Sequence, residues 1–546
     1  MTAVTVSHRA APRGGSLTGT GTLLRFMLRR DRIRLVGWTL GLPLFMAYFV
    51  QALQVVYADE ASLQAIAPLI ASPVGALFGG PRYGMDDPSL EHFLVGLYGA
   101  YIILGAALMS LLTIIRHTRV EEQAGRAELV RADAVGRHAQ LTAALVLTAA
   151  MNAVVVLGIG GLMSAQGFAT TGSWLFAASV GAAGWIFAGI AATTAQLSAF
   201  SRSAAGMAGG VLGASFALRA LGDMTSEHGN AISWLSPIGW SQQTAPFTLD
   251  RWWPLGISLV VGTAMMALGY RLAEHRDLGA GMVPPRPGSA HAAGWLASPL
   301  ALSLRLQRGS LIGWSLALIA AGGAYGFFTG PAVDVFNEGA PPQFQAFLGD
   351  GAMLDGFLNI LALTMGLTVA IYAVLAAAGI RHEETIGRAE PVLATGVSRV
   401  GWLGSQVLVI AVIAAWLLMV GGGALGVGAA ISTGESELFG ETILAHMVQI
   451  PAVWVVLGVA VLLYGALPRI LGAVWVVVGL SLLIGFFGPM LDLPEFAAWL
   501  IPFGHVGDYP GEDISWGAVV ALTGLGALLA AAGHAAFRRR DILGTG

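Results

Sequence analysis

The sequence predicts an all-α polytopic membrane protein: twelve transmembrane helices in two six-helix halves, related by a pseudo-twofold axis along the membrane normal. Three observations predict it. Of 546 residues, 56% are hydrophobic and only 11% charged, against roughly 25% charged in a soluble domain. Twelve stretches are apolar over the roughly 20 residues a helix needs to cross the hydrocarbon. The second half of the chain repeats the motifs of the first in order. A mean hydropathy of +0.73 and 75 glycines, a residue favoured in membrane helices, exclude a secreted domain, a disordered chain and a nucleic-acid-binding protein.

The spans fall at about 35–55, 93–115, 140–164, 173–196, 204–221, 253–270, 310–330, 354–380, 401–426, 444–466, 470–490 and 515–536. The first is too long for a signal-peptide core, and 34 largely polar and basic residues precede it. Arg25, Arg29, Arg30, Arg32 and Arg34 lead into it, and Arg538, Arg539 and Arg540 follow the last span. With both termini in the cytoplasm, 25 of the 28 arginines lie inside; Arg82, Arg219 and Arg251 lie outside with 20 of the 31 acidic residues. That bias is the positive-inside signal, and it supports an even number of spans. Residues 1–34 are then a cytoplasmic N-terminus. Within it Thr22–Arg34 reads as a basic amphipathic helix for the inner interface. The two halves occupy 35–276 and 310–546. Residues 277–309 are a cytoplasmic linker, extended around Pro284-Pro285-Arg286-Pro287, and a weaker interfacial helix at Leu300–Arg308.

The repeat is direct. Glu121-Glu122-Gln-Ala-Gly125-Arg126-Ala127-Glu128 aligns with Glu383-Glu384-Thr-Ile-Gly387-Arg388-Ala389-Glu390, and the register runs on to Arg137 against Arg399. Gly37-Trp38 recurs as Gly313-Trp314, and Trp234-Leu-Ser-Pro237-Ile-Gly239 as Trp499-Leu-Ile-Pro502-Phe-Gly504. Arg276-Asp277 closes the first half and Arg540-Asp541 the second. Parallel repeats with an even span number imply an axis along the membrane normal.

Composition also limits the chemistry. Without cysteine there is no disulfide or thiolate metal site. All 28 basic residues are arginine, so there is no P-loop lysine and ATP hydrolysis by this chain is not expected. No catalytic residue, metal or cofactor is expected in this chain. The spans hold few ionisable groups: His446, with Asp355 and Arg219 near span ends. Carriers driven by protons or sodium need such groups despite their cost in the membrane. Their scarcity points to energy from a partner and to an amphiphilic or apolar passenger. Gly421-Gly-Gly423-Ala-Leu-Gly426 fits G-x-G-x-x-G but lies inside a span, where glycine serves helix packing. His382-Glu383-Glu384 lacks a second histidine at metal spacing.

The loops after spans 2 and 8 each present a charged knob that a motor subunit can grip through charge-assisted bonds. Aromatic and methionine side chains suit a varied apolar passenger; the path candidates are Phe45, Tyr98, Tyr101, Met207 and Phe216, with Phe357, Met365, Phe486 and Phe487 in the second half. For most of these, as for His446, packing is the plainer role.

The paired-Glu, Gly, Glu, terminal-Arg loop between the second and third of six spans resembles that of ABC-2 type exporter permeases. The fused 6+6 arrangement is similar to actinobacterial antibiotic exporters of the tetronasin or polyketide type, which are multidrug efflux subunits. The resemblance covers the whole chain. It implies two ABC-2 type repeats in a bacterial plasma membrane and a separate ATPase in two copies. It implies coupling through Glu121, Glu122, Gly125, Arg126 and Glu128 and through Glu383, Glu384, Gly387, Arg388 and Glu390. It further implies that the segments before spans 6 and 12 dip into the outer leaflet. Pro391 departs from the pattern at the place of Leu129. An ion-coupled secondary transporter and a lipid or envelope assembly factor are the competing readings.

Overall fold

A computed structural model describes residues 15–57, 60–131, 135–284, 288–339, 353–487, 501–507 and 509–542. Every regular element among them is helical. The chain divides into two compact units, Met1–Gly288 and Ser289–Gly546. Twelve helices among the described residues are long and apolar enough to span a bilayer. Spans 1 to 6 are Arg32–Val55, Leu90–Gln123, Ala139–Ala165, Thr170–Leu197, Ser201–Thr225 and Trp253–Glu274. Spans 7 to 12 are Pro299–Asp334, Leu354–Thr385, Arg399–Thr433, Leu438–Ala466, Pro468–Gly485 and Trp516–Arg539. Each matches one predicted stretch, because in hydrocarbon a chain segment must satisfy its own backbone polar groups and a helix does so locally.

In the first unit, span 4 packs against spans 2, 3 and 6. In the second, span 10 packs against spans 8 and 12, and span 7 lies along span 9. Glycines set how closely these helices approach. A Cβ on Gly458 of span 10 would lie 2.7 Å from the Gly526 carbonyl of span 12, and one on Gly465 would overlap the Gly533 carbonyl. The repeat positions on span 6 do the same: Gly262 faces Gly189 of span 4, and Gly269 lies against Ala192. Such contacts let backbones touch and gain dispersion where no hydrophobic force drives association.

The N-terminal amphipathic helix is shorter than predicted. It runs Thr20–Arg30 and buries Met27; Arg32 and Arg34 belong to the first turn of span 1. The break is at Asp31, whose backbone leaves the helical region at φ −105° and ψ 16°. Its carboxylate accepts from Arg116 Nε at 2.5 Å and Nη2 at 2.6 Å, and His117 Nε2 stands 3.2 Å away. The second half differs. Leu300–Arg308 is not a separate helix but the opening turns of one continuous helix from Pro299. Gln307 stands at the repeat position of Asp31, and Arg116 has its repeat in Ala378, so nothing pins a break there.

The paired bonds from Arg116 hold the Asp31 carboxyl below its ordinary value, against the opposing effect of burial. A depressed carboxyl contributes stability above the unfolded-state pKa and loses it as pH falls through the lower folded value. Removing these charge-assisted bonds with Asp31→Asn is expected to cost about 1.5–3 kcal/mol at neutral pH. The melting-temperature gap between wild type and variant should hold down to pH 3.8 and close below it. A gap that already closes at pH 6 would refute this account.

Candidate functional site

The two repeated loops end in the same arrangement. In the first half, Glu122 is buried and accepts from Arg276 Nη2 at 2.7 Å and Nη1 at 2.8 Å. Arg119 Nη1 donates to the same carboxylate at 2.9 Å. Arg119 is itself wholly buried and also donates to the carbonyls of Ala195 and Ala280. In the second half, Glu384 is 0% exposed. Arg540 grips it with Nη1 and Nη2, each at 2.7 Å, and the Tyr464 hydroxyl donates at 2.6 Å. Burial opposes charge on Arg540, yet its bonds to Glu384 outweigh that and raise its pKa. The guanidinium also lies 5.0 Å from the Tyr464 ring and 4.9 Å from that of Phe537, a cation–π seat.

A second tie joins the same places. The arginine that closes each motif bonds the carbonyls where the half's last span ends. Arg137 donates to Glu274 at 2.6 Å and Ala273 at 3.0 Å; Arg399 donates to the Arg540 carbonyl at 2.7 Å. Cations at helix C-termini satisfy orphan carbonyls and oppose the dipole. Both ends of each loop are thus fastened to the end of span 6 or span 12 of its own half.

Between these ties each loop turns outward. Gly125 and Gly387 take φ of 73° and 75°, the left-handed region that glycine enters freely. Space is not the reason at Gly125, where a Cβ would meet nothing within 4 Å. After the turn Ala127 and Ala389 are buried, while Arg126, Glu128, Arg388 and Glu390 are exposed. Arg126 bonds Glu121 at 2.7 and 2.9 Å, and Arg30 of the N-terminal helix reaches the same carboxylate at 2.7 Å. Glu383 has a looser contact, 3.3 Å to Arg388. The ten residues expected to meet a motor therefore divide. Glu122 and Glu384 are committed to internal bonds and Glu121 largely so; the exposed charges are those after each glycine. Sequence reasoning missed Arg119, Arg276, Arg540 and Tyr464 as partners. The repeated Arg-Asp at each half's end was the available signal.

That one loop-and-arginine arrangement occurs twice is matched by comparison with known sequences. Residues 21–272 and 296–538 each match the family described as "Multidrug efflux system permease Rv1217c, C-terminal domain". The chain is also 36% identical over 541 residues to the Multidrug efflux system permease protein Rv1217c of Mycobacterium tuberculosis (strain ATCC 25618 / H37Rv), covering 98% of this chain and 97% of that one. The chain belongs to this family of multidrug efflux permeases.

The permease's predicted path residues do not form one group. Phe45, Phe49 and Tyr98 cluster: Phe45 meets Phe49 edge-on at 4.4 Å, and Phe49 stacks on Tyr98 at 3.8 Å. Phe49 was not anticipated. Tyr101 and Met207 are exposed. Phe216 lies under the guanidinium of Arg219 at 4.4 Å, and Phe357 is half-buried against Phe328 at 6.3 Å. Met365 is a packing residue: it is buried, and a Cβ on Gly421 would lie 2.8 Å from its Sδ. Phe486 and Phe487 lie outside the residues whose side chains are described. His446 is fully buried, faces the Thr442 carbonyl with Nδ1 at 2.7 Å, and fills a notch at Gly422. In the permease's first half, Trp234-Leu-Ser-Pro237 joins two short helices, Ala231–Trp234 and Pro237–Gln242. Ser236 Oγ donates to the Ser215 carbonyl at 2.6 Å, and Ser241 Oγ to that of Ser179 at 3.0 Å. These bonds seat the broken segment on spans 4 and 5. Of its repeat, Trp499 and Leu500 lie outside the described residues.

Proposed function

We propose that this permease is the membrane-spanning subunit of an ATP-driven exporter of hydrophobic or amphiphilic compounds, antibiotics among them. A separate ATPase in two copies drives it, one copy at each repeated loop. ATP and Mg bind on that partner. Both termini lie in the cytoplasm of the bacterial plasma membrane, in the manner of ABC-2 type permeases. One observation carries this reading: each exposed Gly-Arg-Ala-Glu turn is fastened at both ends to the last span of its half. A push on the turn then moves a membrane helix instead of bending a loop.

The test is charge reversal on the exposed turns. Glu128→Lys with Glu390→Lys alters two exposed carboxylates that make no hydrogen bond or ion pair with the described residues. Co-expressed with soluble P-loop ATPases from its own genome, wild type should copurify with one of them and show drug-stimulated hydrolysis. The double variant should melt within 2 °C of wild type yet lose roughly tenfold or more of that stimulation. This corresponds to about 1.4 kcal/mol or more of coupling. Unchanged stimulation, or drug efflux that persists without any ATPase, ends the proposal. The ion-coupled alternative has its best support in Asp223, buried in span 5 with Oδ2 3.8 Å from Arg219. Efflux that collapses with a protonophore but survives ATP depletion would favour it.

A further inference from the structure

An open cleft of about 860 Å³ lies among spans 1, 2, 3 and 5 of the first half, within the size range of small-molecule sites. Its walls are of two kinds. Trp38, Leu112 and Met151 supply an apolar surface. Beside it converge Arg34, Arg116, Arg202 and His117, with Asp31 as the single acid. That acid is already engaged by two nitrogens of Arg116, Nε and Nη2. Arg34 and Arg202 are exposed and make no hydrogen bond or ion pair with the described residues. Two guanidiniums thus stand uncompensated at the edge of an apolar recess.

The repeat sharpens the point. Trp38 is kept in the second half as Trp314, and Leu35 as Leu311. Of the ionisable groups, Asp31, Arg34, Arg116 and His117 become Gln307, Ser310, Ala378 and Gly379, whereas Arg202, just after span 4, has a counterpart in Arg469, just after span 10. The buried glutamates Glu122 and Glu384, each gripped in a latch by the arginine after its half's last span, are by contrast the same in both halves. A group needed only to build a six-span half would recur as the latch does. These four do not: Asp31, Arg116 and His117 serve the helix break before span 1, which only this half has, and Arg34 is left as a charge that no scaffold contact uses.

We propose that the cleft binds the anionic head of an amphiphile, carboxylate or phosphate, through Arg34, Arg202 and the outer face of Arg116. The apolar body lies along Trp38, Leu112 and Met151. Guanidinium groups match both oxyanions in planar, two-point geometry. A lipid headgroup and an acidic passenger share this chemistry. The proposal does not depend on the motor reading, and its test needs no ATPase.

The full chain, purified in a zwitterionic detergent, is titrated with short-chain phosphatidylglycerol, short-chain phosphatidylcholine and laurate, and adducts are counted by native mass spectrometry. Wild type should hold phosphatidylglycerol at least tenfold better than phosphatidylcholine, with the preference shrinking at high salt. Arg34→Gln with Arg202→Gln should reduce the preference to within twofold. Both side chains are exposed and unpaired, so the melting temperature should not move, and each single variant should fall between. Laurate that displaces phosphatidylglycerol from wild type identifies a site for anionic amphiphiles at large. Laurate that binds tenfold more weakly identifies a lipid site. Equal retention of the two phospholipids by wild type, or an undiminished preference in the double variant, overturns the proposal.

Discussion

Replacing Glu384 by alanine is expected to destabilise the second half by about 3–5 kcal/mol, the range for breaking a buried ion pair from one side. The carboxylate is wholly buried and accepts three bonds, two from Arg540 and one from Tyr464. Without it a guanidinium that has already lost water is left with the Asp541 carbonyl, 2.9 Å from Nη1, and two aromatic rings. The attraction within the pair is a different and smaller quantity, because desolvating both ions offsets much of it. The double variant Glu384→Ala, Arg540→Ala should therefore recover a good part of the loss. Unfolding by a denaturing detergent, read across the four members of that cycle, separates the two effects. A single-variant cost under 1 kcal/mol, or strict additivity, would show that the latch is not a closed unit. Glu122→Ala should behave alike. There two buried guanidiniums lose their carboxylate, Arg119 and Arg276, but each keeps another acceptor, in Ala195 and Gln196.

Gly465→Leu should be comparably damaging for a steric reason. A Cβ at Gly465 would overlap the carbonyl oxygen of Gly533. The obstacle is backbone, so no rotamer change relieves it, and spans 10 and 12 must separate. Overpacking ordinarily costs about 1–3 kcal/mol, occasionally more; a whole side chain between touching backbones should reach at least the top of that range. Gly256→Ala is the control, since a Cβ there meets nothing within 4 Å. It should be neutral or stabilise by about 0.5–1 kcal/mol, because alanine restricts the unfolded chain. Equal melting temperatures for Gly465→Leu and wild type would mean that the close approach of spans 10 and 12 does not hold the unit together.

Both predictions rest on contacts that join residues far apart in the chain. Glu384 and Arg540 are 156 positions apart, and Glu122 and Arg276 are 154. The repeat shows that such arginines recur, and it places them just after a span. It does not show that they reach the loop of the same half.

Twelve spans, two repeats and two loops were legible in the residues alone, because each is a property of consecutive chain. A run of apolar residues has to satisfy its backbone locally in hydrocarbon, so length and composition decide that it is a helix. Which face of each helix meets protein was not legible. In water a polar stripe marks the outside; in a membrane, lipid and core are equally apolar and the periodic signal vanishes. Met365 and Met207 therefore read alike, and only packing made one buried and the other exposed. The same physics hid the break at Asp31 and the fate of the loop glutamates. A carboxylate at a membrane edge stays in water unless some distant guanidinium arrives to replace that water, and the tertiary fold alone brings it there.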